Sequence, residues 1–294
     1  MSRLEVRHTT VYSYARPVSF GPHRAMLRPR DSHDLKLRSA VLAVAPAAEI
    51  SWMHDVFGNS IAVVDFTEQA ERLEFRSEFV VQRTLPFAAE EPHARQHVPF
   101  PVVYDPLEQT IAAAYQHSSY PDDVDPLRAW LEEVLPDRDP TDAEGTFAKL
   151  CVIVNEQIKY LRRSEKGVQT PEQTLRLGTG SCRDMATLLM DAARVLGLAA
   201  RFASGYLDCA ASIAGRASTH AWTEVYLPLL GWCGYDPTLG EATSLKHVVT
   251  GVSNHPRGVM PISGMFHGTA ADYLEMSVAV KTETVTGDDR SSAT

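Results

Sequence analysis

Gly178-Thr179-Gly180-Ser181-Cys182-Arg183-Asp184 joins a loop with two glycines to the start of a helix, and a thiol stands at the junction. From Cys182 onward Met185, Leu188, Leu189, Ala192, Val195 and Leu196 recur at i, i+3, i+4 and i+7 spacing, the pattern of a helix that closes at Gly197. Ser181 and Asp184 fit the S-x-x-D capping box, so Ser181 is the expected N-cap and Cys182 the first helical residue. A thiol there faces unpaired backbone N–H groups and the positive end of the helix dipole, which favours its thiolate. The same N–H groups can receive a developing oxyanion. The junction therefore predicts an activated cysteine. Most free cysteines simply pack, so the rest of the case lies with partners elsewhere in the chain.

On the C-terminal side of this helix three segments read as strands, 200–207, 221–227 and 232–235. On its N-terminal side helical patterns lie near 107–117, at 127–135 after Pro126, and over 142–158, and Pro171 opens a short helix through Leu177. The first hundred residues instead alternate. Leu73, Phe75, Ser77, Phe79 and Val81 share one face, residues 41–45 form another candidate strand, and 52–57 and 61–64 flank Gly58-Asn59 as a hairpin. Pro86, Pro92, Pro99, Pro101 and Pro106 then mark an irregular connection. Residues 273–280 alternate as a late strand, and 287–294 have the composition of a disordered tail. The expected organisation is a β-rich N-terminal domain over 1–100, a catalytic core over 101–250, and a C-terminal extension over 251–294 with one strand.

Composition narrows the function classes. A chain of 294 residues with 44% hydrophobic and 22% charged content has ample material for a globular core. Its formal charge of −9 argues against nucleic-acid partners, which need phosphates neutralised, and against a polybasic membrane surface. No apolar run reaches the roughly 18 residues of a membrane span, and residues 1–8 alternate instead of forming a signal-peptide core. The four cysteines, 151, 182, 209 and 233, contain no C-x-x-C pair, which suits free thiols in a reducing cytoplasm. Cys151, Cys209 and Cys233 read as packing or loop residues. A zinc site from His93, His97 and His117 lacks an H-E-x-x-H pattern and falls among prolines, so no metal and no cofactor is expected.

A cysteine nucleophile needs a base, and the base needs an orienting group. Of eleven histidines His220 has the best setting, at the head of the strand His220-Ala221-Trp222-Thr223-Glu224-Val225-Tyr226-Leu227. Asp236 ends the next strand, and Leu229-Leu230-Gly231 between them reads as a hairpin turn. An antiparallel hairpin brings the first residue of one strand beside the last of its partner, so His220 and Asp236 meet at one end. Trp222 and Trp232 read as core residues beside that hairpin or as the lining of a substrate groove. Arg183 and Asp184 read as capping or salt-bridging the helix start.

Gly180-Ser181-Cys182-Arg183-Asp184, Ser204-Gly205-Tyr206, His220 through Tyr226, Gly231-Trp232 and Asp236-Pro237-Thr238, in that order, resemble the core motifs of bacterial transglutaminase-like proteins, relatives of the papain-like cysteine enzymes. Arg7-His8-Thr9-Thr10 with Tyr12 and Tyr14, Leu27-Arg28-Pro29-Arg30 and Asp55-Val56-Phe57-Gly58-Asn59 resemble the β-rich domain that precedes the core in many members. The resemblance runs from about residue 3 to about residue 283. It implies an α+β fold in which the cysteine helix packs on an antiparallel sheet, with Cys182 as nucleophile, His220 as general base and Asp236 as orienting acid. It also implies a protein or peptide substrate with an amide or carboxamide bond, cleaved through a thioester that passes to water or to an amine; the alternative is a non-catalytic protein-binding module that retains the fold. Ser181, Met185 and Gly240-Glu241-Ala242 depart from the usual residues of the family, the last two at positions that shape the cleft.

Overall fold

The computed structural model describes residues 3–83, 97–139, 141–163, 167–208 and 219–285. Its first half is built from β1 (Arg3–Phe20), β2 (His23–Ala25), β3 (Leu35–Ala45), β4 (Ala48–His54), β5 (Ser60–Phe66) and β6 (Ala70–Arg83). In β1 the alternation of the sequence becomes alternation of burial, with Leu4, Val6, His8 and Thr10 inside. β4 and β5 form the expected hairpin, and the turn is tied by Asp55, whose carboxylate accepts from the Phe57 and Asn59 backbone N–H groups at 2.9 and 2.8 Å.

The helical half follows with α1 (Pro106–Gln116), α2 (Val124–Val134), α3 (Ala143–Gln157), β7 (Lys159–Tyr160), α4 (Pro171–Leu177), β8 (Thr179–Gly180) and α5 (Cys182–Val195). β9 (Ala199–Leu207), β10 (Thr219–Leu227), β11 (Gly231–Asp236), β12 (Glu241–Ala242) and β13 (His247–Ser253) then build an antiparallel sheet in the order β12-β11-β10-β9-β13. α5 is buried from Asp184 to Arg194, so it is the central helix of this layer and not an amphipathic surface one. Its alanines and leucines pack with Ala200, Phe202, Ala221 and Val225 of the sheet and with Phe147, Leu150 and Val154 of α3. The Thr223 hydroxyl donates to the Ala186 carbonyl at 2.8 Å, which pins β10 to the helix.

The chain then returns to its beginning. β14 (Ile262–Ser263) pairs with β2, β15 (Phe266–His267) with the end of β1, and β16 (Tyr273–Val285) runs antiparallel along β1 from Tyr14 to Arg3. The expectation of one strand beyond residue 250 thus meets a fuller arrangement: β13 crosses that position within the core sheet, and β14 and β15 are two-residue strands too short to show a period. The sheet of β16, β1, β6 and β3 has two partners. One half covers β14-β2-β5-β4 through Tyr14, Phe20, Leu27, Val64, Leu73 and Phe75. The other half, with Leu4, Val6, Phe79 and Val81, packs on Tyr206 of β9 and Val248 of β13.

Asn59 fastens these layers together. It is fully buried, and its amide donates to the Val252 carbonyl at 2.7 Å and accepts the Val252 N–H at 2.9 Å, imitating a strand partner for β13. Arg30 donates to the same amide oxygen at 2.8 Å. Removing the amide orphans a buried donor and a buried acceptor on β13, so Asn59→Ala is expected to lower the unfolding free energy by about 3 kcal/mol. Urea denaturation checks this, and a change within about 0.5 kcal/mol would mean that Asn59 does not hold β13.

Candidate active site

The helix start is assembled from short local devices. α4 ends at Gly178 in the left-handed region, φ 61°, and the chain turns into β8, which pairs in parallel with β7. Ser181 is the N-cap of α5, as its sequence predicts. Asp184 reaches back to accept from the Ser181 N–H and hydroxyl, both at 2.8 Å. The carboxylate also takes the Gln169 N–H at 2.7 Å and the Arg163 guanidinium at 2.9 Å, and it is wholly buried. Arg183 behaves differently from expectation. Instead of bridging the helix start, it donates to the Pro256 carbonyl at 2.5 Å and lies over the Phe202 ring at 5.1 Å. Neighbours in a helix leave it about 100° apart, so Arg183 and Asp184 serve different sides.

Cys182 is half-buried at the first position of α5, beside Tyr160 of β7 and His220 of β10. β10 and β11 form the predicted hairpin, with Thr223 opposite Tyr235 and Leu227 opposite Gly231. His220 Nε2 lies 2.6 Å from Asp236 Oδ2, and Cys182 is close enough to favour the protonated ring. Since Nε2 is engaged by Asp236, Nδ1 is the nitrogen left for the sulfur. The structure thus brings Cys182, His220 and Asp236 together. Across from His220, Gly205 sits where a Cβ would fall 1.9 Å from the Val248 carbonyl oxygen, so only glycine lets β13 approach here.

The electrostatics follow from burial and partners. Burial works against a charge on His220, but the hydrogen bonds to Asp236 and Cys182 and the charges there outweigh it and push the imidazole up to about 10. Burial likewise opposes ionising Asp236, yet hydrogen bonds from His220 and from His247 hold its carboxyl well below the usual carboxylate range. Thr238 adds a backbone N–H to Asp236 Oδ1 at 2.9 Å. The other described thiols sit in contrary settings: burial pushes Cys151 up strongly and Cys233 up to about 11. Cys209 lies outside the described residues.

His247 is the participant that sequence reasoning missed. It places Nε2 3.1 Å from Asp236 Oδ2, at the start of β13, where only the β-branched run Val248-Val249-Thr250 hinted at a strand. Of the two tryptophans, Trp222 is core, with its ring 5.1 Å from His247, while Trp232 packs half-buried between Arg201 and Tyr115. His220, Asp236 and His247 hold ligand-type atoms within 4.8 Å of one another, but both imidazoles already converge on one carboxylate oxygen, and a cation there would displace both bonds. Of the histidines weighed for zinc, His93 lies outside the described residues, and His97 and His117 are exposed. Among the described residues no helix is long and apolar enough to cross a membrane.

Residues 4–82 match the bacterial transglutaminase-like N-terminal region, and residues 128–237 match the transglutaminase-like superfamily. The chain belongs to the bacterial transglutaminase-like proteins, with that N-terminal region joined to a transglutaminase-like core. It is 22% identical over 284 residues to an uncharacterized Mycobacterium leprae protein, a match that takes in 95% of this chain and 99% of that one. An uncharacterized Mycobacterium bovis protein is 25% identical over 292 residues, covering 95% of this chain and 92% of its own. Among solved structures, a candidate cysteine protease from Cytophaga hutchinsonii shares the fold with a TM-score of 0.75 over 98% of this chain and 92% of that one, at 15% identity.

The acid limb of stability follows from Asp236. Its folded carboxyl binds a proton less readily than an unfolded one, so its contribution is present above about pH 4 and is lost as pH falls below that. Asp236→Asn is therefore expected to unfold at lower urea than the parent at neutral pH and to lose less on acidification. The two denaturation midpoints should converge toward pH 3; parallel curves would show that Asp236 gains nothing from its partners.

Proposed function

We propose that the protein is a cysteine-dependent hydrolase, a peptidase or amidase acting on a peptide or carboxamide bond. The observation that carries this reading is the placement of His220, held by Asp236 at 2.6 Å on Nε2 and lying beside Cys182 at the start of α5. Cys182 Sγ attacks the carbonyl carbon as a thiolate, and the thiol proton resides on His220. The N–H groups of the first turn of α5, which have no partner within the helix, face the oxyanion. The C–N bond breaks as His220 gives its proton to the departing amine, leaving a thioester on Cys182. Water then attacks that carbonyl, its proton goes to His220, and the acid product leaves as Sγ is released. Asp236 stays ionised throughout and keeps the imidazole turned toward sulfur.

If an amine takes the place of water, the same groups perform acyl transfer of the transglutaminase type. Hydrolysis is favoured because it needs no second substrate site. The substrate is accordingly a protein or peptide, with neither nucleic acid nor membrane as partner. Cys151, Cys182 and Cys233 carry free thiols, which suits the reducing cytoplasm as the place of action.

Iodoacetamide is expected to modify Cys182 well ahead of Cys151 and Cys233 near pH 6, because the latter two are held protonated by burial. His220→Ala should slow that labelling at least about tenfold while circular dichroism stays unchanged. Equal labelling of the three thiols would end the activated-cysteine reading. For the reaction itself, a peptide library incubated with and without a primary amine and read by mass spectrometry separates cleavage, deamidation and amine incorporation. Cys182→Ser is expected to abolish whichever product forms, by about a thousandfold or more. Product that persists in Cys182→Ser would overturn the assignment.

A further inference from the structure

His247 stands outside the chemistry just described, yet it is bound to the acid that chemistry depends on. Its Nε2 meets Asp236 Oδ2 at 3.1 Å, the same oxygen that takes His220 at 2.6 Å, and all three side chains are buried. On its other side Nδ1 accepts the Ser244 N–H at 3.1 Å, so Nε2 is the nitrogen that carries the ring hydrogen. The edge contact with Trp222 blocks a third direction, and Arg83 of β6 donates to the His247 carbonyl. The ring is thus a fixed donor aimed at one atom.

We propose that His247 is a positioning residue: its Nε2–H, donated to Asp236 Oδ2, keeps the carboxylate ionised and in the orientation that presents this oxygen to His220. The inference rests on Cys182, His220 and Asp236 acting as nucleophile, base and acid. A carboxylate turns easily about its last bond, and a single imidazole partner would swing with it. Thr238 N–H on Oδ1 and His247 on Oδ2 fix both oxygens, so His220 meets a stationary acceptor. Each N–H donated to the ionised form also makes it harder to protonate. Three elements converge for this purpose: β10 brings the base, β11 the acid and β13 the residue that steadies the acid.

Other charged or titratable groups face the cluster and stay unaltered in the test. Cys151 of α3 looks on Asp236, Tyr160 and Arg183 look on Cys182, and Arg83 with Asp34 and Asp208 stands behind His247. Asparagine at 247 reaches only as far as Nδ1, so it keeps the Ser244 contact and loses the donor to Asp236. Glutamine extends an amide N–H to the place of Nε2.

The experiment follows iodoacetamide labelling of Cys182 in the full chain, by mass spectrometry, across the acid and neutral range. His247→Asn is expected to shift the acid limb of the rate profile upward by about one pH unit, a roughly tenfold slower rate on that limb, since a hydrogen bond to a charged group is worth at least that much. His247→Gln should return the limb to the parent's position. An Asn profile that superimposes on the parent's overturns the proposal. So does a uniform loss of rate at every pH in both variants, which would mark a purely structural residue. His220→Ala run alongside separates the two readings: if it too leaves the profile unmoved, the assignment of Cys182 and His220 falls as well. If only the His247 variants are silent, that assignment stands and the positioning role alone is lost.

Discussion

The buried carboxylate of Asp184 governs where the thiol can be. It gathers the N–H and hydroxyl of Ser181, the N–H of Gln169 and the guanidinium of Arg163 around one point, and that point is the first turn of α5. A buried anion without partners costs several kcal/mol, so these donors are not optional decoration. Loop 167–170, β8 and the helix are locked to each other as a result. Cys182 inherits its position from that lock, one residue beyond the N-cap and beside the start of β10.

From this fixed point the remaining architecture works by packing. α5 is enclosed on all sides, and its small residues let the sheet come close enough for Thr223 to bond the helix backbone. β10 then hands His220 to the thiol, and the tight return at Gly231 brings Asp236 up behind it. β13, clasped by Asn59 and pressed against Gly205, adds His247. The N-terminal sheets therefore reach the site through β13.

The parts legible in the sequence are those with local causes. The S-x-x-D box, the helical spacing after Cys182 and the glycine at 197 specify α5 within a single window, and the alternation of β6 and the Gly-Asn hairpin do the same for the N-terminal sheets. The meeting of His220 and Asp236 was legible because one short turn joins their strands. His247 was not, since its strand pairs with β9 across some forty residues and a lone histidine between Lys246 and Val248 has no local mark. Arg163 and Gln169, which hold Asp184, were hidden for the same reason. Arg183 bonds the Pro256 carbonyl instead of the helix start because adjacent helix residues leave on different sides.

β1 lies between β6 and β16, so among the described residues the first strand is flanked by the last. A ribosome delivers residues 273–285 after β1, β6 and the core sheet, and until then one long edge of β1 offers its backbone groups to any strand that passes. The cysteine helix and its sheet are complete earlier. The pairing of β16 with β1 therefore closes after the helix that carries Cys182 has already met its sheet.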